Sequence, residues 1–267
     1  MPALPVGTAR RELIQGNNYQ YFARIYDRVM GDTVFPLIRR NFLWAVRTHH
    51  IPFSSAADLG CGTGTFVQFL ATMANPVFGV DHSPEMLQEA AKKNRLNGVR
   101  LLHQDLCAFQ LPRPVDLITC NFDTLNYLLS QADLLEAFRR IHANLSDSGH
   151  FLFDLISGGR GNQDYQSTVQ RIRLPGVLST WTVTMWPRQR KSLVKMNFVF
   201  RDRDRVIRRG QECHQQKWYP TNLIRKLLRT SGFNLKGVND AETLRPATPQ
   251  TCWVNFIAKK NRANFRR

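Results

Sequence analysis

Three glycines at alternate positions, Gly60, Gly62 and Gly64, follow directly on the short apolar run Ala56-Ala57-Asp58-Leu59. After them Phe66 to Met73 carries apolar residues at helical spacing. A strand that turns into a helix through glycine is the first half of a strand–helix–strand unit, and such units build parallel sheets. Glycine lets the backbone turn sharply and approach a ligand closely, with the N-terminus of the following helix beside it. The spacing G-x-G-x-G lacks the third glycine of the dinucleotide G-x-G-x-x-G pattern, and no Lys-Ser/Thr pair follows as in a phosphate-binding P-loop.

The alternation continues. Val77 to Asp81 reads as a second strand, and Ser83-Pro84-Glu85 opens a helix with a capping serine and a proline suited to the first turn. That helix is predicted to run to about Asn97-Gly98. Val99 to His103, Val115 to Asn121 and Gly149 to Ile156 make three further strands, with a helix between the last two. The expected fold is α/β: a Rossmann-like, seven-stranded, mostly parallel sheet with helices on both faces.

After Ile156 the rhythm changes to period two. Trp181, Val183 and Met185 alternate with threonines, and Met196, Phe198 and Phe200 alternate with Asn197 and Val199. This predicts an antiparallel insertion that covers something on one side. Glu212, His214, Gln216 and Trp218 share one face of such a strand. Helix returns at Thr221 to Thr230, and Phe233 to Val238 pairs with Trp253 to Ala258. The expected organisation is an N-terminal helical segment over 1–50, a core over 51–156, the insertion over 157–219, closing elements over 220–260 and a basic tail over 261–267.

The formal net charge of +17 is concentrated in the second half. Residues 1–150 hold 14 Lys/Arg against 13 Asp/Glu, whereas residues 151–267 hold 23 against 7. A basic half attracts nucleic acid or anionic metabolites, or simply keeps a face solvated. No apolar run approaches the ~20 residues of a bilayer span, and no secretory signal opens the chain. The five cysteines are scattered without metal-ligand spacing, so a reduced, cytoplasmic setting and no metal are expected. No feature speaks to the oligomeric state.

Acidic or amide residues stand at successive strand ends. Asp81 ends the second strand, about 20 residues beyond the loop, where a carboxylate can accept both hydroxyls of a ribose. Asp105 lies just past the third strand, within reach of an adenine amino group, and Asn121 ends the fourth. Each acid also has a structural alternative: Asp81 as part of the cap at Ser83, Asp105 as the closure of a turn.

Together, Asp58-Leu59-Gly60-Cys61-Gly62-Thr63-Gly64, Gly79-Val80-Asp81-His82-Ser83 and Gln104-Asp105 resemble the class I S-adenosylmethionine-dependent methyltransferases. The resemblance implies S-adenosyl-L-methionine as cofactor. It places Asp58, Gly60, Cys61, Gly62 and Gly64 of the loop, with Asp81, His82, Met86, Asp105, Leu106 and Asn121, around it. Tyr21-Phe22-Ala23-Arg24-Ile25-Tyr26-Asp27 is similar to the N-terminal lid of small-molecule methyltransferases, including glycine and amino-sugar N-methyltransferases. It implies Tyr21 against the methionine end of the cofactor and Tyr26 near the reaction. A histidine side chain can take up a proton in general-base catalysis, and His214 is the candidate proton acceptor.

The expected activity is methyl transfer to a nitrogen or oxygen of a small molecule, with an anionic group on it as one reason for the basic half. RNA is the competing acceptor, because nucleic acid could use that half directly. Against it, Cys120-Asn121-Phe122-Asp123 lacks the Asn/Asp-Pro-Pro-aromatic signature that grips exocyclic base amines. A non-catalytic, cofactor-binding interaction protein is the alternative from another class.

Overall fold

A computed structural model of the protein describes residues 18–93, 98–158, 167–203 and 205–261. A 3₁₀ turn at Phe22–Ile25 leads into helix α1, Tyr26–Thr48. The core then alternates: β1 (Ala56–Leu59), α2 (Thr65–Leu70), β2 (Val77–Asp81), α3 (Pro84–Ala91), β3 (Val99–His103) and β4 (Val115–Cys120). A second 3₁₀ turn at Thr124–Tyr127, helix α4 (Gln131–Asn144) and β5 (Leu145–Ile156) follow. Four strands come next, β6 (Thr168–Leu174), β7 (Val177–Trp186), β8 (Lys191–Asp202) and β9 (Arg205–Lys217). Helix α5 (Thr221–Thr230) and strands β10 (Phe233–Asp240) and β11 (Trp253–Lys260) close the fold.

The main sheet has seven strands in the order β10-β11-β5-β4-β1-β2-β3. β1 to β5 are mutually parallel, and β11 alone runs against its neighbours β5 and β10. Alternation along each strand feeds two cores. Ala57, Leu59 and Ile118 point to one face, where Phe138 of α4 and Ile224 and Leu228 of α5 cover them. Ala56 and Leu117 point to the other, beneath Phe42 of α1 and Phe66 and Leu70 of α2. Helices thus lie on both faces. β1 has β2 on one side and β4 on the other, so the winding direction reverses there. In an open α/β sheet that reversal leaves a crevice at the carboxyl ends of the strands.

The second sheet is antiparallel, in the order β6-β7-β8-β9. Trp181, Met196, Phe198 and Phe200 fill its inner face and pack against Tyr21, Phe22 and Ile25 of the segment before α1. On the outer face Arg173, Leu178, Val199 and Arg209 stand in one cross-strand row. The insertion leaves and rejoins the core at one place. Asn126 donates to the carbonyls of Ile156 (3.0 Å) and Lys217 (2.6 Å) and accepts the Ile156 N–H (2.9 Å).

Sequence boundaries needed adjustment where local signals conflict. The helix expected to reach Asn97-Gly98 ends at Ala91; Asn97 lies outside the described residues. Its start is as read, with Pro84 in the first turn and the Ser83 hydroxyl accepting the Met86 N–H at 3.2 Å. β5 begins four residues before Gly149, in a polar stretch that extends its pairing with β4 through Leu145. β6 carries no clear apolar alternation because it is an edge strand with mostly exposed side chains. Among the described residues no helix is long and apolar enough to cross a membrane.

Gly210 on β9 sits under the ring of Tyr21, and a Cβ there would stand 2.5–2.6 Å from three ring carbons. The ring itself cannot yield, being wedged between Phe198, Phe200 and the Arg208 guanidinium 4.9 Å from its centroid. Gly210→Ala should therefore destabilise the fold by about 1–3 kcal/mol through overpacking. Thermal unfolding checks this, and an unchanged midpoint would contradict the contact.

Candidate active site

A cavity of about 940 Å³ opens at the carboxyl ends of β1 to β4, between the glycine loop and α1. Gly60, Gly62 and Gly64 have φ of 67°, 54° and 76°, the left-handed region where other residues are strained. Their surroundings differ. A Cβ on Gly60 would collide with Thr124, whereas one on Gly62 would meet only Met86 Sδ at 3.9 Å and would project into the cavity. Gly64 does not line the cavity. It is the left-handed N-cap of α2, so its place in the motif is to start that helix.

The strand ends carry carboxylates, each tied by hydrogen bonds to a neighbouring strand end. Asp58 is buried and accepts from the Thr119 hydroxyl (2.6 Å) and the Asn121 amide (3.2 Å). Burial pushes its carboxyl up to about 7 despite those two donors. Asp81 accepts the Gly62 N–H and the Ser83 N–H, both at 2.8 Å, and burial raises its carboxyl while these bonds draw it back. Asp81 thus makes the capping contact and lines the cavity as well. Asp105 likewise closes a turn, accepting the Cys107 N–H at 2.7 Å, and lines the cavity with His82 3.7 Å away.

Asp154 on β5 holds a strained turn. It accepts the N–H groups of Phe122 (2.7 Å) and Asp123 (2.6 Å), both left-handed with φ of 54° and 49°, and the Trp253 indole N–H (2.9 Å). Asp123 is thereby pinned in a half-buried position, where it accepts the Gln216 amide from β9. Burial, with Asp154 nearby, pushes the Asp123 carboxyl up to about 7.

Among the described residues five carboxylates line the cavity, those of Asp27, Asp58, Asp81, Glu85 and Asp105, and no Lys or Arg does. A chain of net charge +17 therefore encloses an acidic site. Asp27 also latches α1 to the core: its carboxylate accepts from Thr63 (2.5 Å) and pairs with Lys93 (2.7 Å). Among the described residues no group of three His, Cys, Asp or Glu side chains is placed to hold a metal ion.

Of the residues named from sequence, Asp58, Gly60, Cys61 and Gly62 meet at the cavity. Asp81, His82, Met86, Asp105, Leu106, Asn121 and Tyr26 line it too. Tyr21 does not. It is fully buried against the second sheet, because the chain reaches the cavity two residues earlier, through Tyr19. His214 does not line it either; it is 2% exposed and lies behind Tyr127, whose hydroxyl is 3.0 Å from Nδ1. Sequence reading missed Tyr19, Asp27, Asp123 and Tyr127. A signal existed for the last two, as polar residues directly after the strand-end Asn121.

Residues 56–149 match the family model for a methyltransferase domain. A protein of Geobacillus sp. (strain WCH70), provisionally named a methyltransferase, is 25% identical over 245 residues, 91% of this chain and 99% of its own. The crystal structure of an S-adenosylmethionine-dependent methyltransferase from Clostridium acetobutylicum ATCC 824 is similar with a TM-score of 0.78 and 26% identity, covering 91% of this chain and 99% of that one. The dTDP-3-amino-3,6-dideoxy-alpha-D-glucopyranose N,N-dimethyltransferase of Streptomyces fradiae is 34% identical over 104 residues, 39% of this chain and 40% of its own. With the seven-stranded sheet and the glycine loop, these matches support an S-adenosylmethionine-dependent methyltransferase whose methyltransferase domain spans residues 56–149.

Removing Asp154 leaves two backbone N–H groups and an indole N–H without their acceptor next to a strained turn. Asp154→Ala should cost at least about 3 kcal/mol, since each orphaned buried donor costs roughly 1–3 kcal/mol. Denaturant unfolding measures this, and a loss under 1 kcal/mol would show that the turn holds itself.

Proposed function

We propose that the protein transfers the methyl of S-adenosylmethionine to a nitrogen of a small-molecule amine. The observation that carries this reading is the acidic cavity: carboxylates with no lysine or arginine among its described lining suit a sulfonium and an ammonium group, and would repel the diphosphate of a dinucleotide. The open face at Gly62 leaves room for the donor beside the loop. Asp81 would hold the ribose hydroxyls, Asp105 the adenine amino group and Asp58 the positive charge near the methionine end. Bound there, the donor supplies a methyl carbon on a sulfonium, whose carbon–sulfur bond breaks with its electron pair left on sulfur.

The protein's own contribution is alignment and exclusion of water. Tyr19, Tyr26 and Tyr127 line the cavity, with Asp123 acting electrostatically on all three. A carboxylate ringed by tyrosines favours an acceptor that enters as a cation.

Mass spectrometry of a metabolite extract incubated with the enzyme and isotopically labelled donor tests the reading. Label should enter amines; label in RNA and not in small molecules would overturn it. Asp81→Ala should weaken S-adenosylhomocysteine binding strongly, because two charge-assisted hydrogen bonds, each worth ~1.5–3 kcal/mol, would be lost. Unchanged affinity in a folded variant would remove Asp81 from the site.

Asp58 adds a pH dependence. Its carboxyl is raised to about 7, so it is mostly protonated at pH 6 and mostly ionised at pH 8. A cation binds the ionised form, so calorimetry should show S-adenosylmethionine binding roughly tenfold weaker at pH 6 than at pH 8, the linkage of one proton. The same raised carboxyl disfavours the folded apoprotein above pH 7 and is relieved as pH falls toward the unfolded value near 4.

A further inference from the structure

Glu212 on β9 has no exposed surface, and its carboxylate is filled by donors from two places. Oε1 accepts the backbone N–H of Phe22 at 2.9 Å and that of Tyr21. Oε2 accepts the Tyr19 N–H at 3.1 Å and faces His214 Nε2 at 3.0 Å. A carboxylate only accepts, so the hydrogen of the neutral imidazole resides on Nε2, and Nδ1 is left as an acceptor. The Tyr127 hydroxyl, 3.0 Å away, donates to it, and the Tyr19 hydroxyl donates to Tyr127 across 2.8 Å. Tyr19 and Tyr127 both line the cavity, so a continuous hydrogen-bonded chain runs from the cavity wall to a buried carboxylate.

We propose that the chain Tyr19–Tyr127–His214–Glu212 accepts the proton of an ammonium acceptor, and that Glu212 assembles it only while the segment before α1 is closed over the cavity. This rests on the amine reading above and deepens it, naming the acceptor as one that arrives protonated. Tyr19 and Tyr127 are the catalytic residues; His214 and Glu212 act through them as positioning residues.

The step balances. A proton leaves the acceptor nitrogen for the Tyr19 oxygen as the Tyr19 proton passes to Tyr127 and the Tyr127 proton to His214 Nδ1, which forms an imidazolium beside the Glu212 carboxylate. The nitrogen lone pair is then free to bond the donor's methyl carbon. The product nitrogen takes up the positive charge that sulfur loses, and the His214 proton returns to solvent when the lid opens.

The surroundings fit a relay whose resting proton acceptor is the imidazole. Burial, with Asp123 also acting on both, raises the hydroxyls of Tyr19 and Tyr127 above their ordinary range, so they pass protons without giving them up at rest. The groups facing His214 are Glu212 on its own strand, Tyr19 at 4.7 Å and Phe22 at 6.5 Å from the lid, and Tyr127 from the 3₁₀ turn. Beyond Tyr127 stand Asp123, held by Gln216, and Tyr26. Acidic groups surround the position where the relay becomes charged.

Two measurements test the proposal. Hydrogen exchange should show the Tyr19, Tyr21 and Phe22 amides protected in the wild type and in His214→Asn, and exchanging at least tenfold faster in Glu212→Gln. An amide side chain has one acceptor oxygen, so glutamine cannot hold both the lid and the imidazole. Labelled methyl transfer into the same metabolite extract is followed from pH 6 to 10. His214→Asn and Tyr127→Phe should lose about 100-fold at pH 7, in the range of general-base catalysis, and recover about tenfold per pH unit as free amine accumulates. Their affinity for S-adenosylhomocysteine should stay that of the wild type.

A wild-type pH profile in both of these variants would overturn the relay, and unchanged exchange in Glu212→Gln would overturn its coupling to the lid. If Glu212→Gln does not fold, the other two variants decide. Absence of label from all small molecules with wild-type enzyme would count against the amine reading itself, and the exchange arm would still judge the lid.

Discussion

The carboxyl edge of the main sheet is held together by acidic side chains that cannot be left unsatisfied once buried. Asp58 ties β1 to β4 through Thr119 and Asn121. Asp81 ties β2 to the glycine loop, and Asp154 ties β5 to the turn after β4 and to Trp253 of β11. Each bond fixes the exit of a strand, and the exits are the walls of the cavity. The same groups that shape the site therefore also charge it, and burial keeps Asp58 and Asp123 near their ionisation midpoint at neutral pH. A cation relieves that situation; an anion would worsen it.

Charge is partitioned by layer. The main sheet's edge is acidic inward, and the second sheet carries exposed Arg171, Arg173, Lys195 and Arg209, which alternation places opposite its aromatic face. A net charge read from composition alone says nothing of this division: +17 left nucleic acid, an anionic metabolite and a solvated face all open, whereas the described lining of the cavity is acidic.

What could be read from the chain was local. The glycine loop, the capped start of α3 and the acids at strand ends each lie within a few residues of the feature that reveals them, and Asp58, Asp81, Asp105 and Asn121 come together as expected. The rest depends on contacts distant in sequence. Glu212 meets residues some 190 positions earlier, and Tyr127 meets His214 across 87. Period-two spacing could put Glu212 and His214 on one face but could not say what that face covers. One of the two expected tyrosines lies elsewhere: Tyr21 has the aromatic context of a lid residue, but Gly210 opens a slot for its ring in the second sheet, and Tyr19, two residues earlier, takes the cavity beside Tyr26.

The point at which the insertion leaves the core has a consequence of its own. Because Asn126 clasps both the outgoing backbone at Ile156 and the incoming one at Lys217, about 60 residues hang from a single junction. On the proposed reading, the donor side of the cavity is built before that junction, from β1 to β4, and the acceptor side borrows Cys213 and Gln215 of β9 from beyond it. Such a layout separates inheritance of the reaction from choice of the molecule it acts on. Strands of the hanging sheet can lengthen, shorten or change their faces while the junction and the glycine loop stay as they are, so one methyl-transfer engine can be refitted to a new acceptor by replacing what hangs from one asparagine.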